Sequence, residues 1–175
     1  MYSSKYESPL GELTLASDGE NLLGLWLDGQ KYHGSSIFES MPEKELPVFK
    51  KTKQWLDEYF AGEEPEISDL PLAPERTEFR KKVWKLLCEI PYGEVTTYGE
   101  IAKKIAEDKS KAGNLSRAVG GAVGHNPISI IIPCHRVIGS NGSLTGYAGG
   151  VDRKIKLLTL EGVDTAKMTA PTPSN

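Results

Sequence analysis

The sequence predicts an α/β chain of the α+β kind, in which a small sheet-and-helix domain is followed by a mainly helical domain containing a helix-turn-helix. Three observations predict it. Short apolar runs punctuated by Asp18-Gly19 and Asp28-Gly29 open the chain, apolar residues recur at three- and four-residue spacing from Leu46 onward, and a proline-bearing acidic stretch divides the two patterns. The 175 residues are enough to bury one sizeable core or two small ones.

Taken in order, the alternation of Leu13 and Leu15 and the run Leu22 to Leu27 predict a small antiparallel sheet. Residues Leu46 to Phe60 carry Phe49, Leu56, Tyr59 and Phe60 on a helical stripe that ends near Gly62. The carboxylates of this half are scattered, as on a solvated acidic face, and predict a structural role. Glu63 to Pro74, with Pro65, Pro71 and Pro74 among several acids, reads as a linker. The N-terminal domain is therefore expected over 1–74 and the C-terminal domain over 75–175, with a flexible tail from about 166.

In the second domain Phe79, Val83, Leu86, Leu87 and Ile90 lie on one helical face, and Pro91-Tyr92-Gly93 stops the helix. Cys88 falls inside it and reads as an inert core thiol. Thr97-x-x-Glu100 is a capping box ahead of Tyr98, Ile101, Ala102 and Ile105. After the charged stretch Asp108 to Gly113, Asn114 is the expected N-cap of a helix whose apolar face is Leu115, Val119, Ala122 and Val123. Two short helices joined by a turn suggest a helix-turn-helix.

The opposite face of that last helix carries Arg117, Gly120, Gly121 and Gly124 at i, i+3, i+4 and i+7. Each interior glycine costs a helix about 1 kcal/mol relative to alanine, so the row needs a reason. Close approach to another surface supplies one, whether a neighbouring helix or a partner. A face without polar side chains cannot read base edges in a major groove, but it suits a minor groove with Arg117 inserted as a wedge. Charge divides in the same sense. Met1 to Glu75 holds 6 basic against 15 acidic residues, and Arg76 to Asn175 holds 15 basic against 9 acidic, so the net charge of −3 conceals a cationic second half suited to a polyanion.

No apolar run approaches the roughly 20 residues of a membrane span, and Met1-Tyr2-Ser3-Ser4-Lys5 lacks the basic-then-apolar form of a signal peptide. A cytoplasmic protein with two reduced cysteines and no membrane partner is expected. Cys88, Cys134, His33, His125 and His135 show none of the paired spacings of a metal site, so no metal is expected.

The chemistry concentrates at Ile130-Ile131-Ile132-Pro133-Cys134-His135-Arg136-Val137-Ile138, where a run read as a buried strand from Ile128 to Ile132 ends in a thiol. A thiol reacts as thiolate and ionises near pH 8.5 unless positive or basic neighbours lower that value. His135 and Arg136 are the adjacent candidates for that role.

Around that run stand Arg117-Ala118-Val119-Gly120-Gly121-Ala122, Asn126-Pro127, Gly146-Tyr147-Ala148-Gly149-Gly150 and Leu160-Glu161-Gly162. In these ordered motifs the chain resembles the O6-alkylguanine-DNA alkyltransferase family over roughly Thr77 to Gly162, and more weakly before. The resemblance implies a winged-helix-like second domain. It implies that Cys134 accepts an alkyl group from guanine O6, with thymine O4 as a second candidate donor, once and irreversibly. His135 would act as base through a water and Glu161 would orient it. Tyr98 would hydrogen-bond the guanine ring and supply a proton, and Asn126 would brace the turn. Arg117 would fill the space left by the rotated-out base of double-stranded DNA, bound through the minor groove, with Ser116, Ala118, Gly120 and Gly121 beside it. Val123, Val137, Tyr147, Ala148 and Gly149 would line the substrate pocket, under a loop from Gly146 to Gly150.

No cofactor and a monomer are implied, and the cysteines of the N-terminal zinc of some relatives are missing. Ala148 stands where some relatives have serine, and the segment from Glu107 to Gly113 looks longer than theirs. Three other functions remain open to the residues: a non-catalytic alkylated-DNA damage-binding protein, which would lack the acceptor cysteine; a Cys-His hydrolase, which would turn over; and a helix-turn-helix regulator, indifferent to Cys134.

Overall fold

The computed structural model describes residues 1–27, 41–73, 77–106, 112–139, 141–144, 147, 150–166 and 168, with the backbone alone at 112–114. The chain divides into two compact units. One comprises Met1–Glu75 with Pro127–Ile131, the other Arg76–Asn126 with Ile132–Asn175.

In the first unit β1 (Tyr2–Ser8), β2 (Gly11–Ser17) and β3 (Leu22–Leu27) form an antiparallel meander, in register from Tyr2 opposite Ser17 and from Leu13 opposite Leu27. The Asp18-Gly19 turn is closed by Asp18 Oδ1, which accepts from Glu20 N at 2.9 Å and Asn21 N at 2.8 Å, with Gly19 at φ 113°. The Asp28-Gly29 turn lies outside the described residues. The strand β1 carries no apolar alternation because its buried positions are Ser3 and Ser4. Ser3 is buried under 41–44: its N–H donates to Pro42 O at 3.0 Å and its hydroxyl to Met41 O at 3.2 Å.

Helix α1 (Pro47–Phe60) matches the predicted stripe. Proline at its start gives up an N–H that no helix could use, and Gly62 at φ 89° follows its end. It buries Val48, Phe49, Thr52, Trp55, Leu56 and Tyr59 and packs on β1 and β2.

Two stretches differ from expectation. Glu63 to Ala73, read as most of a linker, is pinned to the first unit. Trp55 Nε1 donates to Glu66 O at 3.2 Å, Leu22 N donates to Pro71 O at 2.8 Å, and Ala73 N donates to Leu22 O at 3.0 Å. Proline lacks a donor but keeps its carbonyl, so a proline-bearing segment can still pair along an edge. The apolar run Ile128–Ile132 is not a strand. Ile128 alone bridges to Leu25, with Leu25 N on Pro127 O at 2.8 Å and Ser129 N on Leu25 O at 3.0 Å. The backbone then turns through Ile130 at φ 71°, a left-handed conformation costly for a β-branched residue.

The second unit contains α2 (Glu78–Cys88), β4 (Thr96–Thr97), α3 (Tyr98–Ile105), α4 (Ala112–Gly124), β5 (Val137–Ile138) and α5 (Val151–Leu160), with β4 and β5 parallel. Thr77 caps α2 by accepting from Arg80 N at 3.3 Å, and Thr97 caps α3 by accepting from Glu100 N at 3.1 Å, as its capping box predicts. Helix α4 begins at Ala112, so Asn114 lies inside its first turn and is not the N-cap. Helices α3 and α4 pack together, and α2 joins α4 through Trp84 Nε1, which donates to Ala122 O at 2.8 Å. Ile138, Leu144 and Leu158 form a smaller cluster with Val95, Val151, Ile155, Val163 and Met168. Within the tail expected to be flexible, Met168 packs on that cluster and its N–H donates to Thr165 O at 3.0 Å; residues 167 and 169–175 lie outside the described set. Among the described residues no helix is long and apolar enough to cross a membrane.

Gly24 has a specific task in β3. A Cβ there would lie 2.0 Å from Cη2 of Trp26 and 2.5 Å from two further ring atoms, so the ring lies directly over the glycine. Trp26 is buried and cannot swing aside cheaply. Gly24→Ala is expected to destabilise the protein by about 1–3 kcal/mol through overpacking, read as a lower urea midpoint with an unchanged slope.

Candidate active site

Cys134 opens a single 3-10 turn, Cys134–Arg136, directly after Pro133, and its side chain is buried. Its N–H donates to Ile132 O at 2.8 Å. Asn126 is buried beside it, donating from Nδ2 to the same Ile132 carbonyl at 2.8 Å and hydrogen-bonding the sulfur. Burial pushes the thiol pKa up. Asn126, the Lys154 ammonium and the backbone amides of Cys134 and His135 pull against that rise.

His135 is wholly buried, with Nε2 2.6 Å from Glu161 Oε2. Glu161 caps the C-terminus of α5, and its other oxygen, Oε1, accepts from Arg136 Nε at 2.7 Å and from the backbone N–H of Gly93 at 3.1 Å. Burial alone would raise the carboxyl's pKa, but hydrogen bonds from His135 and Arg136, the Arg136 charge and, in acid, the charge of protonated His135 outweigh it and hold the group down at about 2. Glu161 is therefore an ion that only accepts. His135 is displaced downward, by burial first, with Arg136 and Lys154 acting in the same sense against the pull of Glu161. That displacement favours the neutral imidazole; facing a carboxylate that only accepts, Nε2 carries the hydrogen, and in the neutral form the lone pair lies on Nδ1. That nitrogen is buried and makes no hydrogen bond with the described residues.

Tyr147 stands edge-on to His135, ring centroids 6.4 Å apart, and its buried hydroxyl likewise makes no hydrogen bond with the described residues. Tyr98 is half-buried at the start of α3, and burial followed by proximity to Cys134 pushes its pKa up to about 12. Val137 follows the turn, donating its N–H to Cys134 O. Cys134, His135, Glu161, Asn126, Tyr98, Tyr147 and Val137 thus form one electrostatic neighbourhood. Val123 is buried on α4; Ala148, Gly149 and residues 107–111 lie outside the described residues.

The residues on the far side of α4 are differently placed. Arg117 and Ala118 are exposed, Ser116, Gly120 and Gly121 half-buried. A Cβ added at Gly120, Gly121 or Gly124 would meet nothing within 4 Å, so no packing among the described residues explains the glycine row.

Two polar residues act differently from the sequence reading. Arg136, expected beside the thiol, instead binds Glu161 and donates from Nη1 to Ile90 O at 2.6 Å. The cation that does act on the thiol is Lys154, missed in the sequence, which is buried on α5 and donates to Val137 O at 2.5 Å. Burial brings its pKa down to about 8. Its signal was a lysine on the apolar stripe Val151, Lys154, Leu158. Cys88 offers a contrast: half-buried at the end of α2, it is pushed up to about 11 by burial, against the pull of Arg136. Both cysteines are free thiols.

A buried cysteine next to a histidine hydrogen-bonded to a glutamate, in a unit whose paired helices leave one bare glycine face, is the arrangement of a thiol-bearing protein with a helical binding module. Residues 78–163 match the DNA-binding domain, and residues 1–74 the ribonuclease-like domain, of 6-O-methylguanine DNA methyltransferase. The chain belongs to that family. It is 51% identical over 163 residues to the methylated-DNA–protein-cysteine methyltransferase of Methanosarcina acetivorans, covering 93% of this chain and 99% of the relative. It is 45% identical over 161 residues to that of Haemophilus influenzae, covering 92% and 86%. The crystal structure of Mycobacterium tuberculosis OGT in complex with DNA superposes with a TM-score of 0.79 at 43% identity, covering 96% of this chain and 95% of that one.

The low pKa of Glu161 has a consequence for acid stability. Its folded value, about 2, lies below the ordinary 4.5, so the charge contributes stability that is present above pH 4.5 and lost as pH falls toward 2. Over that window the unfolding free energy of the wild type is expected to fall more steeply than that of Glu161→Gln, as measured by urea titration at each pH.

Proposed function

We propose that this protein repairs DNA by moving the alkyl group of O6-alkylguanine onto Cys134, once per chain. The observation that carries the proposal is the buried Cys134 directly before a buried His135 whose Nε2 lies 2.6 Å from the Glu161 carboxylate and whose Nδ1 makes no hydrogen bond with the described residues. The Cys134 proton passes through a water to the Nδ1 lone pair of His135. The thiolate then attacks the alkyl carbon, forming the S–C bond as the C–O6 bond breaks and its electron pair passes to the guanine. Tyr98, kept protonated at neutral pH, delivers a proton to the purine ring, so the leaving group departs neutral. The product is a thioether, with no carbonyl for water to attack, and transfer ends there.

Guanine O6 lies inside the duplex, so the nucleotide must rotate out to reach a buried thiol. The α4 face supports this reading. Its glycine row is open to an approaching surface, with Arg117 exposed on the same face to occupy the vacated stack. The M. tuberculosis relative crystallised with DNA supports DNA as partner. Asn126 braces the thiol turn, and Val123, Val137 and Tyr147 wall the pocket. A monomer acting in the reducing cytoplasm suits two free thiols.

Intact mass after incubation with an O6-methylguanine oligonucleotide is expected to rise by one methylene, saturating at one per chain and mapping to Cys134. An unchanged mass with tight lesion binding would instead make this a damage-binding protein. Cys134→Ala is expected to abolish transfer while still binding the lesion. Arg117→Ala is expected to slow repair of duplex DNA about tenfold or more, because unstacking costs a few kcal/mol, while leaving reaction with free O6-benzylguanine nearly unchanged. Equal losses on both substrates would refute the wedge.

A further inference from the structure

We infer that Arg136 is a positioning residue for transfer: by sharing the Glu161 carboxylate with His135, it keeps His135 a neutral base and prevents its conversion into half of an imidazolium–carboxylate ion pair. This rests on the reading above that His135 takes the Cys134 proton.

The difficulty that Arg136 resolves is set by distance and burial. Glu161 Oε2 lies 2.6 Å from His135 Nε2, and both side chains are wholly shielded from water. A carboxylate that close, acting alone, favours the charged imidazole. An imidazolium would carry hydrogens on both nitrogens and could accept nothing from the thiol. Burial opposes the imidazolium first, and Arg136 Nε, 2.7 Å from the other carboxylate oxygen, adds the opposing positive charge, while Gly93 N donates to that same oxygen at 3.1 Å.

The charged and titratable groups around His135 come from α5, from its own turn and from Tyr147. Glu161 at the end of α5 favours the cation; Arg136 in the same turn and Lys154 on α5 oppose it. Cys134 precedes it in that turn, and the Tyr147 ring faces it. The two opposing cations are not equivalent. Lys154 loses its own charge near pH 8, whereas a guanidinium stays charged throughout the working range. Arg136 is also fixed in place, by the Ile90 carbonyl at 2.6 Å and by the Tyr92 ring, whose centroid lies 5.8 Å from its guanidinium carbon.

The test is the rate of benzyl transfer from free O6-benzylguanine across about pH 5 to 8, the range in which histidine titrates, for the wild type, Arg136→Gln and Arg136→Lys. Arg136→Gln keeps a donor for Glu161 but loses the charge. Its acid limb is expected to move up by about one pH unit, the scale of a close charge effect, making transfer about tenfold slower at the acid end. Arg136→Lys retains charge and should keep the limb near its wild-type position. A uniform loss of rate in Arg136→Gln without movement of the limb would mean that Arg136 only braces the end of α5, and would overturn the inference. Histidine nitrogen NMR of the wild type gives a check independent of any variant's folding: His135 is expected neutral with hydrogen on Nε2 at about pH 6.5, the ordinary histidine midpoint, and an imidazolium there would also overturn it. Failure of wild-type Cys134 to acquire a benzyl group would overturn the transfer reading itself, an outcome distinct from an unmoved acid limb.

Discussion

The Glu161 carboxylate is the interaction on which the second unit's chemistry depends. It receives His135 Nε2 on one oxygen and Arg136 Nε and Gly93 N on the other. Those donors come from the turn that carries the nucleophile and from the turn that ends α2, while the acceptor closes α5. One buried ion thereby fixes three chain segments that meet nowhere else in sequence. An unpaired carboxylate at this depth would cost several kcal/mol, and the donors that make it tolerable also orient the imidazole. Gly93 illustrates the geometry. It stands at φ 81°, and a Cβ there would lie 3.0 Å from the Glu161 carbonyl oxygen, so only glycine lets the backbone come near enough to donate.

Around that anchor the unit handles a conflict inherent in a buried nucleophile. Burial keeps competing water and oxidants from Cys134 but disfavours its thiolate. Two kinds of group answer this: polar donors that follow from the fold of the turn, and the single cation Lys154 on the neighbouring helix. Lys154 is itself displaced toward neutrality by burial and drawn back toward charge by Cys134. Each member of the pair therefore favours the charged form of the other, and the thiolate is most stable where the ammonium is retained. Tyr98 and Tyr147 are displaced upward by burial and by the same sulfur, so both remain protonated while the thiol ionises. Cys88, where burial outweighs the pull of the Arg136 cation, stays a thiol.

How legible these features were in the sequence depended on the length scale of the interaction. Helices α1 to α3 follow directly from apolar spacing and local caps, since Pro47, Thr77 and Thr97 act within three residues. The strand β1 was hidden because serines occupy its buried positions, and a serine pair gives no hydrophobic alternation. The Ile128–Ile132 run misled in the opposite sense: its β-branched composition favours a strand, but tertiary pairing of Ile128 with Leu25 and the left-handed turn at Ile130 override propensity. Cys134 and His135 are legible in the local run that ends in a thiol beside an imidazole, whereas Glu161 came from the family motif rather than from spacing. Arg136 and Lys154 were misread or missed because their partners, Glu161 and Val137, lie 25 and 17 residues away. No local pattern encodes such a pairing.

Helix α4 has two faces under different constraints. Val119, Ala122 and Val123 are buried, and the Ala122 carbonyl accepts from Trp84, so this side is held by packing and a buried hydrogen bond. The other side gives up about 1 kcal/mol of helix propensity at each interior glycine and gains no contact in return from the described chain. A sequence under selection for stability alone would place alanine there, and each Cβ would fit freely. The deficit is intelligible only if the missing side chains matter to something that comes against the helix from outside, at backbone distance, with Arg117 the one long side chain on that face. The stability that α4 forgoes on its outer face is therefore supplied by its inner one, which lets a single helix be both a core element and a smooth binding surface.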